Sequence, residues 1–205
     1  MDEFQRQGPL DGLSLQQRAV ADLEEAGPGI GVGIGEFRFE GVINLRARRD
    51  DAPAREALAA ALGLALPATT AVAFKGAQRL LGLGPDEWLL LCPRAEETAQ
   101  GLYARLADHF VAVTDVSDNY VSLFLRGPRV TDLLAKGVPL DLHESAFPPG
   151  RCAQTLLAKA EVVLYRSRDE SAGDYALLCR PSFAQYVFAW LEDAAREYGL
   201  AVLAA

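Results

Sequence analysis

The feature that most restricts how this chain can fold is a strand signature written twice. Asp86-Glu87-Trp88-Leu89-Leu90-Leu91-Cys92 is echoed by Asp174-Tyr175-Ala176-Leu177-Leu178-Cys179, with Trp88 over Tyr175 and Cys92 over Cys179 at the same offset. A short unbroken apolar run of this kind suits a strand covered on both faces. Each run leads into a proline-containing link, a helical pattern and a closing apolar strand, Val111-Ala112-Val113 in one case and Leu200-Ala201-Val202 in the other. Upstream, Asn44-Leu45-Arg46 before the first helix matches Phe124-Leu125-Arg126 before Gly127-Pro128. The spacing predicts an α+β fold of two tandem ferredoxin-like (β-α-β-β-α-β) units with antiparallel sheets, helices on one face and the other face free for a partner unit.

The division that follows is an N-terminal arm over 1–29, a first α+β unit over 30–116 and a second over 117–205, the two units packed as one compact domain. In the arm, Ser14 followed by Gln17 predicts a capped short helix running through Glu25. Gly29, Gly31, Gly33 and Gly35 alternate with Ile30, Val32 and Ile34, a strand with one face bare of side chains and room for a close backbone approach. Neither GxGxxG nor GxxxxGK[ST] fits these glycines, so a phosphate loop is not indicated. Pro53 opens a helix over 54–62 that Gly63 ends, and a second helix is predicted over 95–109 with His109 at its end. Residues 152–158 and 161–166 read as strands joined by a tight reversal. Ser182 is placed to cap a helix through Tyr198, on which Phe183, Tyr186, Val187, Trp190 and Leu191 form a core stripe.

Several function classes drop out. Twenty Lys and Arg against 28 Asp and Glu give a formal net charge of −8, the wrong sign for gripping phosphate backbones, so no nucleic-acid partner is expected. No apolar run is long enough to span a bilayer, the first residues carry acids instead of an apolar leader, and three scattered cysteines fit a reducing cytoplasm. The only histidines, His109 and His143, stand far apart with no HExxH and no paired cysteines, so no metal site is expected. No GxSxG elbow occurs. Cys152 opens an apolar strand and reads as an inert hydrophobe, with a Cys152–His143 pair the remaining nucleophilic option; Asp115 and Asp118 fit a turn better than acid–base work. No catalytic residue is assigned.

The segment 139–150, PLDLHESAFPPG, is long for a connection and has few helix signals. Loops of that kind usually bind or cover something. Leu140, Leu142, His143 and Phe147 are therefore candidate partner-interface residues, the apolar ones needing burial against this chain or another.

LRGPRVTDLLAKGVPLDL (125–142), FPPGRCAQTLLAKAEVVLYR (147–166), DYALLCRPSFAQYVFAWLEDA (174–194) and LGPDEWLLL (83–91) together resemble the gamma subunit family of heterotetrameric sarcosine oxidases. More distantly, a strand, a Gly-Pro helix and paired strands resemble the folate-binding aminomethyltransferase (T-protein) superfamily, whose N-terminal part would supply the fold. The resemblance implies a bacterial cytoplasmic complex that oxidatively demethylates sarcosine to glycine, releasing hydrogen peroxide and passing a one-carbon unit to tetrahydrofolate. It implies alpha, beta and delta subunits as partners, with FAD, FMN, NAD and tetrahydrofolate held on other chains and no cofactor on this one. The folate enzymes place a glycine-rich hairpin ending in an acidic pair between the paired strands. Here that hairpin is contracted to Leu157-Ala158-Lys159-Ala160-Glu161, leaving Glu161 as the sole folate-site candidate. The leading expectation is a non-catalytic assembly subunit that forms homo-oligomers when isolated; the alternative is a stand-alone folate-binding one-carbon transfer protein.

Overall fold

The computed structural model describes residues 7–37, 41–168 and 174–204 as four layers, helices outside and two β-sheets face to face within. The smaller sheet is built from β3 (Gly41–Ala47), β4 (Val72–Lys75), β5 (Gln78–Gly82), β6 (Glu87–Cys92) and β7 (Val111–Asp115), in the order β4-β5-β6-β3-β7 and antiparallel throughout. The larger sheet contains β1 (Ala19–Val20), β2 (Val32–Glu36), β8 (Val121–Arg126), β9 (Cys152–Leu157), β10 (Ala160–Arg166), β11 (Tyr175–Cys179) and β12 (Leu200–Leu203). Its order is β1-β12-β2-β8-β11-β10-β9, antiparallel except for the parallel β1–β12 and β12–β2 pairs at one edge.

The repeated signature becomes the two central strands β6 and β11, and their side chains divide alike. Trp88, Leu90 and Cys92 face helices α2 (Ala52–Leu62) and α3 (Ala95–Arg105), as Tyr175, Leu177 and Cys179 face α4 (Val130–Ala135) and α5 (Pro181–Ala195). Leu89 and Leu91 meet Ala176 and Leu178 in the apolar layer between the sheets, with Val42, Phe124, Cys152, Val163 and Tyr165. With both faces covered, neither strand tolerates a polar residue, which is why both read as continuous leucine runs. The sheets are stitched by a bridge between Ala71 and Arg151.

The alternating glycines form β2, which pairs with β8 and β12 in the larger sheet although it stands first in the 30–116 segment. Two side chains lean across its bare face. A Cβ at Gly33 would lie 2.4 Å from Leu203 Cδ1, and one at Gly35 would lie 2.0 Å from Phe124 Cζ. The glycines thus give close approach between strands.

Helix ends follow local chemistry. Asp51 caps α2 by accepting the Ala54 N–H at 3.0 Å, and Gly63, at φ 60°, closes it. Three expectations need correction. The arm helix α1 is only Leu15–Arg18, because Ala19 and Val20 leave it to pair with β12, and Ser14, at φ 50°, makes no cap bond. Helix α3 stops at Arg105, short of His109, since residues 106–110 must turn the chain into β7. Helix α5 begins at Pro181, with Arg180 and not Ser182 at the cap, and passes at Arg196 into a 3-10 turn that Gly199 ends. Among the described residues no helix is long and apolar enough to cross a membrane.

Candidate functional site

The two nucleophilic candidates have separate partners. Cys152 opens β9 inside the apolar layer, where its thiol donates to the carbonyls of Ala71 and Gly82 at 3.5 and 3.6 Å. Burial pushes that thiol up to about 11, against a smaller pull from the Arg151 charge, and burial pushes Cys179 up to about 12. Neither offers a thiolate near neutral pH. His143 is exposed, its Nδ1 lies 2.8 Å from Ser145 Oγ, and its backbone N–H donates to the Asp141 carboxylate at 2.9 Å. His109 is exposed in the turn before β7. Asp115 accepts the Ser117 N–H at 2.9 Å and its hydroxyl at 2.5 Å, holding the turn from β7 toward β8. Among the described residues no cluster of three or more His, Cys, Asp or Glu could hold a metal ion.

The 139–150 loop folds onto its own molecule. Leu142 and Phe147 are each 5% exposed in the core beneath α4 and α5, Leu140 packs against the same cluster, and Phe147 stacks on Tyr175 at 6.4 Å between ring centroids. Among the described residues, the large apolar side chains left exposed lie elsewhere: Tyr103, Phe110, Leu156, Phe183 and Tyr186. Phe183 and Tyr186 therefore depart from the stripe expected of α5, whose buried face is Ala184, Val187, Phe188, Leu191 and Ala195. Period-two alternation through β9 was the signal for Leu156: Leu157 faces the helices, so its neighbour faces away.

Glu161 lies near the start of β10, exposed, paired across the hairpin with Leu156. It borders a cleft of about 480 Å³, also lined by Tyr120, Gln154, Val163, Leu178 and Arg180. The geometry follows from register. Val163 sits between Gln154 and Leu178 across β9-β10-β11, and two residues earlier Glu161 pairs with Leu156, while Arg180 follows the last residue of β11 as the cap of α5. The Arg180 guanidinium stacks on Tyr120 at 4.8 Å. Val163 and Leu178 lie in the layer between the sheets, whereas Gln154, Leu156 and Glu161 nearby are exposed. The hairpin reversal is Ala158-Lys159, whose Lys159 N–H donates to the Tyr186 hydroxyl of α5 at 3.3 Å.

The sequence model of the Sarcosine oxidase, gamma subunit family matches residues 46–197. The sarcosine oxidase subunit gamma of Corynebacterium sp. (strain P-1) is 38% identical over 144 residues, 69% of this chain and 70% of that one. A chain of the heterotetrameric sarcosine oxidase from Corynebacterium sp. U-96, solved with pyrrole 2-carboxylate, superposes with a TM-score of 0.81 at 32% identity, covering 97% of this chain and 99% of its own. The aminomethyltransferase T of the Bartonella henselae glycine cleavage system shares the fold, with a TM-score of 0.69 at 14% identity over 95% of this chain, which spans 58% of that protein. Matched along three quarters of its length by the family's own pattern and nearly end to end by a solved relative, this chain belongs to the sarcosine oxidase gamma subunit family.

Proposed function

We propose that the chain is the non-catalytic assembly subunit of a heterotetrameric sarcosine oxidase in the bacterial cytoplasm, held beside alpha, beta and delta subunits. In this reading the complex oxidises sarcosine to glycine with tetrahydrofolate as one-carbon acceptor, and FAD, FMN, NAD and the folate sit on the other chains. The observation that carries it is the near-complete superposition on a chain of the Corynebacterium oxidase. The chemistry of the candidate side chains supports the non-catalytic part: the thiols of Cys152 and Cys179 are held protonated by burial, and Asp115 is committed to a turn. A folate enzyme needs a carboxylate presented from the β9–β10 hairpin, and the reversal here is Ala158-Lys159.

The fold itself is best read as a duplicated unit. The smaller sheet runs β7-β3-β6-β5-β4 and the larger β12-β8-β11-β10-β9 with β2 wedged between β12 and β8, so corresponding strands occupy corresponding places. Each ferredoxin-like circuit carries an additional strand, β4 beyond β5 or β9 beyond β10, and the larger sheet adds β1 beyond β12.

Co-expression tests the assembly role. The other subunits produced with this chain yield a complex that forms hydrogen peroxide from sarcosine, and omission of the chain lowers both recovered complex and activity. Full assembly and full activity without it overturn the proposal.

A further inference from the structure

An uncovered sheet edge is a row of backbone donors and acceptors that can take another strand. Among the described residues, three of the four edges are short or occupied by the chain itself. β1 is two residues long, and β4 runs into the bridge between Ala71 and Arg151. At β9 the Cys152 N–H donates to Thr70 O and, just past the other end, the Ala158 N–H donates to Gly137 O, each at 2.9 Å. β7 differs. Its five residues, Val111-Ala112-Val113-Thr114-Asp115, include none of the prolines or lysines that blunt an edge. The bond from Val116 N–H to Val42 O, at 2.8 Å, fixes the phase of the β3–β7 ladder. Ala112 and Thr114 therefore turn their backbone groups toward β3, and Val111, Val113 and Asp115 turn theirs outward. The Val111 N–H is taken by His109 O at 2.9 Å, and the Val113 carbonyl accepts the Tyr103 hydroxyl of α3. Among the described residues the outward N–H groups of Val113 and Asp115 have no acceptor. Two exposed rings flank this edge: Tyr103, 55% exposed, and Phe110 at the entry to the strand, 80% exposed.

We propose that the β7 edge is a strand-addition site for a second copy of this chain, gated by the Tyr103 hydroxyl. Symmetry selects the occupant. The outward groups belong to the first, third and fifth residues of a five-residue strand, so a two-fold axis can pass through Val113. An antiparallel copy on that axis sets Val113 against Val113, Val111 against Asp115 and Ala112 against Thr114. In this register the Val113 N–H meets the Val113 carbonyl of the copy and the Asp115 N–H meets the Val111 carbonyl, so both unmatched donors gain acceptors. Although each chain carries a net charge of −8, no like charges stand opposite one another, because Asp115 faces a valine. Phe110 continues the same line beside Val116 of the copy, which supplies the cover that its own chain does not. The two smaller sheets thereby join into one continuous sheet. Tyr103 stands where the incoming Val113 N–H would donate, so the edge opens when that ring swings away. This surface is independent of the subunit role argued above.

Sedimentation equilibrium of the isolated full-length chain tests the proposal, with a melting curve for each variant. Tyr103→Phe keeps the ring and removes the hydroxyl. A dimer then has no Tyr103 bonds to break, two fewer than the wild type, so self-association is expected to tighten about tenfold or more. In the Tyr103→Phe background, Val113→Pro deletes the central outward N–H without removing a bond to β3, and it is expected to return association to the wild-type level or below. Ala112→Lys with Thr114→Lys does the same by another route, since both positions are exposed and the two-fold register sets lysine against lysine. The lysine pair decides the matter if proline disturbs the buried Val113 site. Tyr103→Phe that associates no more tightly than wild type overturns the proposal, as does association that survives the lysine pair. If no variant self-associates but the lysine pair lowers recovery of co-expressed oxidase subunits, the edge belongs to another chain and the proposal is overturned, with the subunit role left standing.

Discussion

Substituting Gly35 by alanine should destabilise the protein through one identified collision. Gly35 lies directly opposite Phe124 in the β2–β8 ladder, and an ideal Cβ there would sit 2.0 Å from Cζ and 2.3 Å from Cε1 of that ring. Carbon atoms rest at about 3.5–4.0 Å, so the ring must retreat by more than an ångström. Its escape is obstructed: Phe124 is 3% exposed and Phe37 lies against it at 4.8 Å between centroids. Overpacking of a filled core costs about 1–3 kcal/mol. Replacing glycine within a strand returns about 0.5–1 kcal/mol by restricting the unfolded chain. The braced ring puts the strain near its upper limit, for a net loss of about 2 kcal/mol, or a fall in Tm of roughly 4–8 °C for a chain of this size.

Thermal and urea unfolding of a double-mutant cycle isolates the cause. Leucine at position 124 has no Cζ, so in a Phe124→Leu background Gly35→Ala should be neutral or slightly stabilising, giving a coupling of about 2 kcal/mol. An equal loss in both backgrounds, or no loss in the wild type, refutes the steric account of the glycine strand.

Two further outcomes are expected. Phe147→Ala removes a ring that is 5% exposed and stacked on Tyr175, so the isolated chain should lose about 3–5 kcal/mol in urea unfolding; an unchanged isolated chain would return Phe147 to a partner interface. The buried thiols of Cys152 and Cys179, at about 11 and about 12 against an ordinary 9.0, are protonated in both states below pH 9. Above pH 9 the unfolded chain releases these protons first, so each thiol lowers stability by up to about 1.4 kcal/mol per pH unit, and a Cys152→Ala/Cys179→Ala protein should show a shallower alkaline slope between pH 9 and 10.5.

The central strands were legible because burial on both faces leaves a one-dimensional trace, and Leu89 to Leu91 and Ala176 to Leu178 carry it without interruption. The short helix α2 was legible through its start and stop signals, Pro53 and Gly63. What failed was local signal against tertiary demand. Ser14 and Gln17 form a good capping pattern on paper, but carrying the helix to Glu25 would forfeit the pairing of Ala19 and Val20 with Val202 and Leu203. Likewise the glycine strand announced a close approach without naming what approaches, since Phe124 and Leu203 lie far away in sequence.

The 139–150 loop and the β9–β10 hairpin were harder to read for a related reason. Hydrophobicity says that a side chain must leave water, not which surface receives it. Leu142 and Phe147 sit in an irregular loop that either this chain or a partner could cover, and Val130, Leu133, Tyr175 and Phe188 cluster with them within the same chain. Leu156, by contrast, sits in a regular strand on the face opposite Leu157, and it is 43% exposed. The burial of Leu142 and Phe147 depends on a loop folding beneath α4 and α5, and the exposure of Leu156 on the pairing of β9 with β10, neither of which a single segment encodes. Irregular segments fold back onto a core whenever one lies within reach, because burial against one's own chain carries no loss of translational freedom, whereas a partner must overcome several kcal/mol of it.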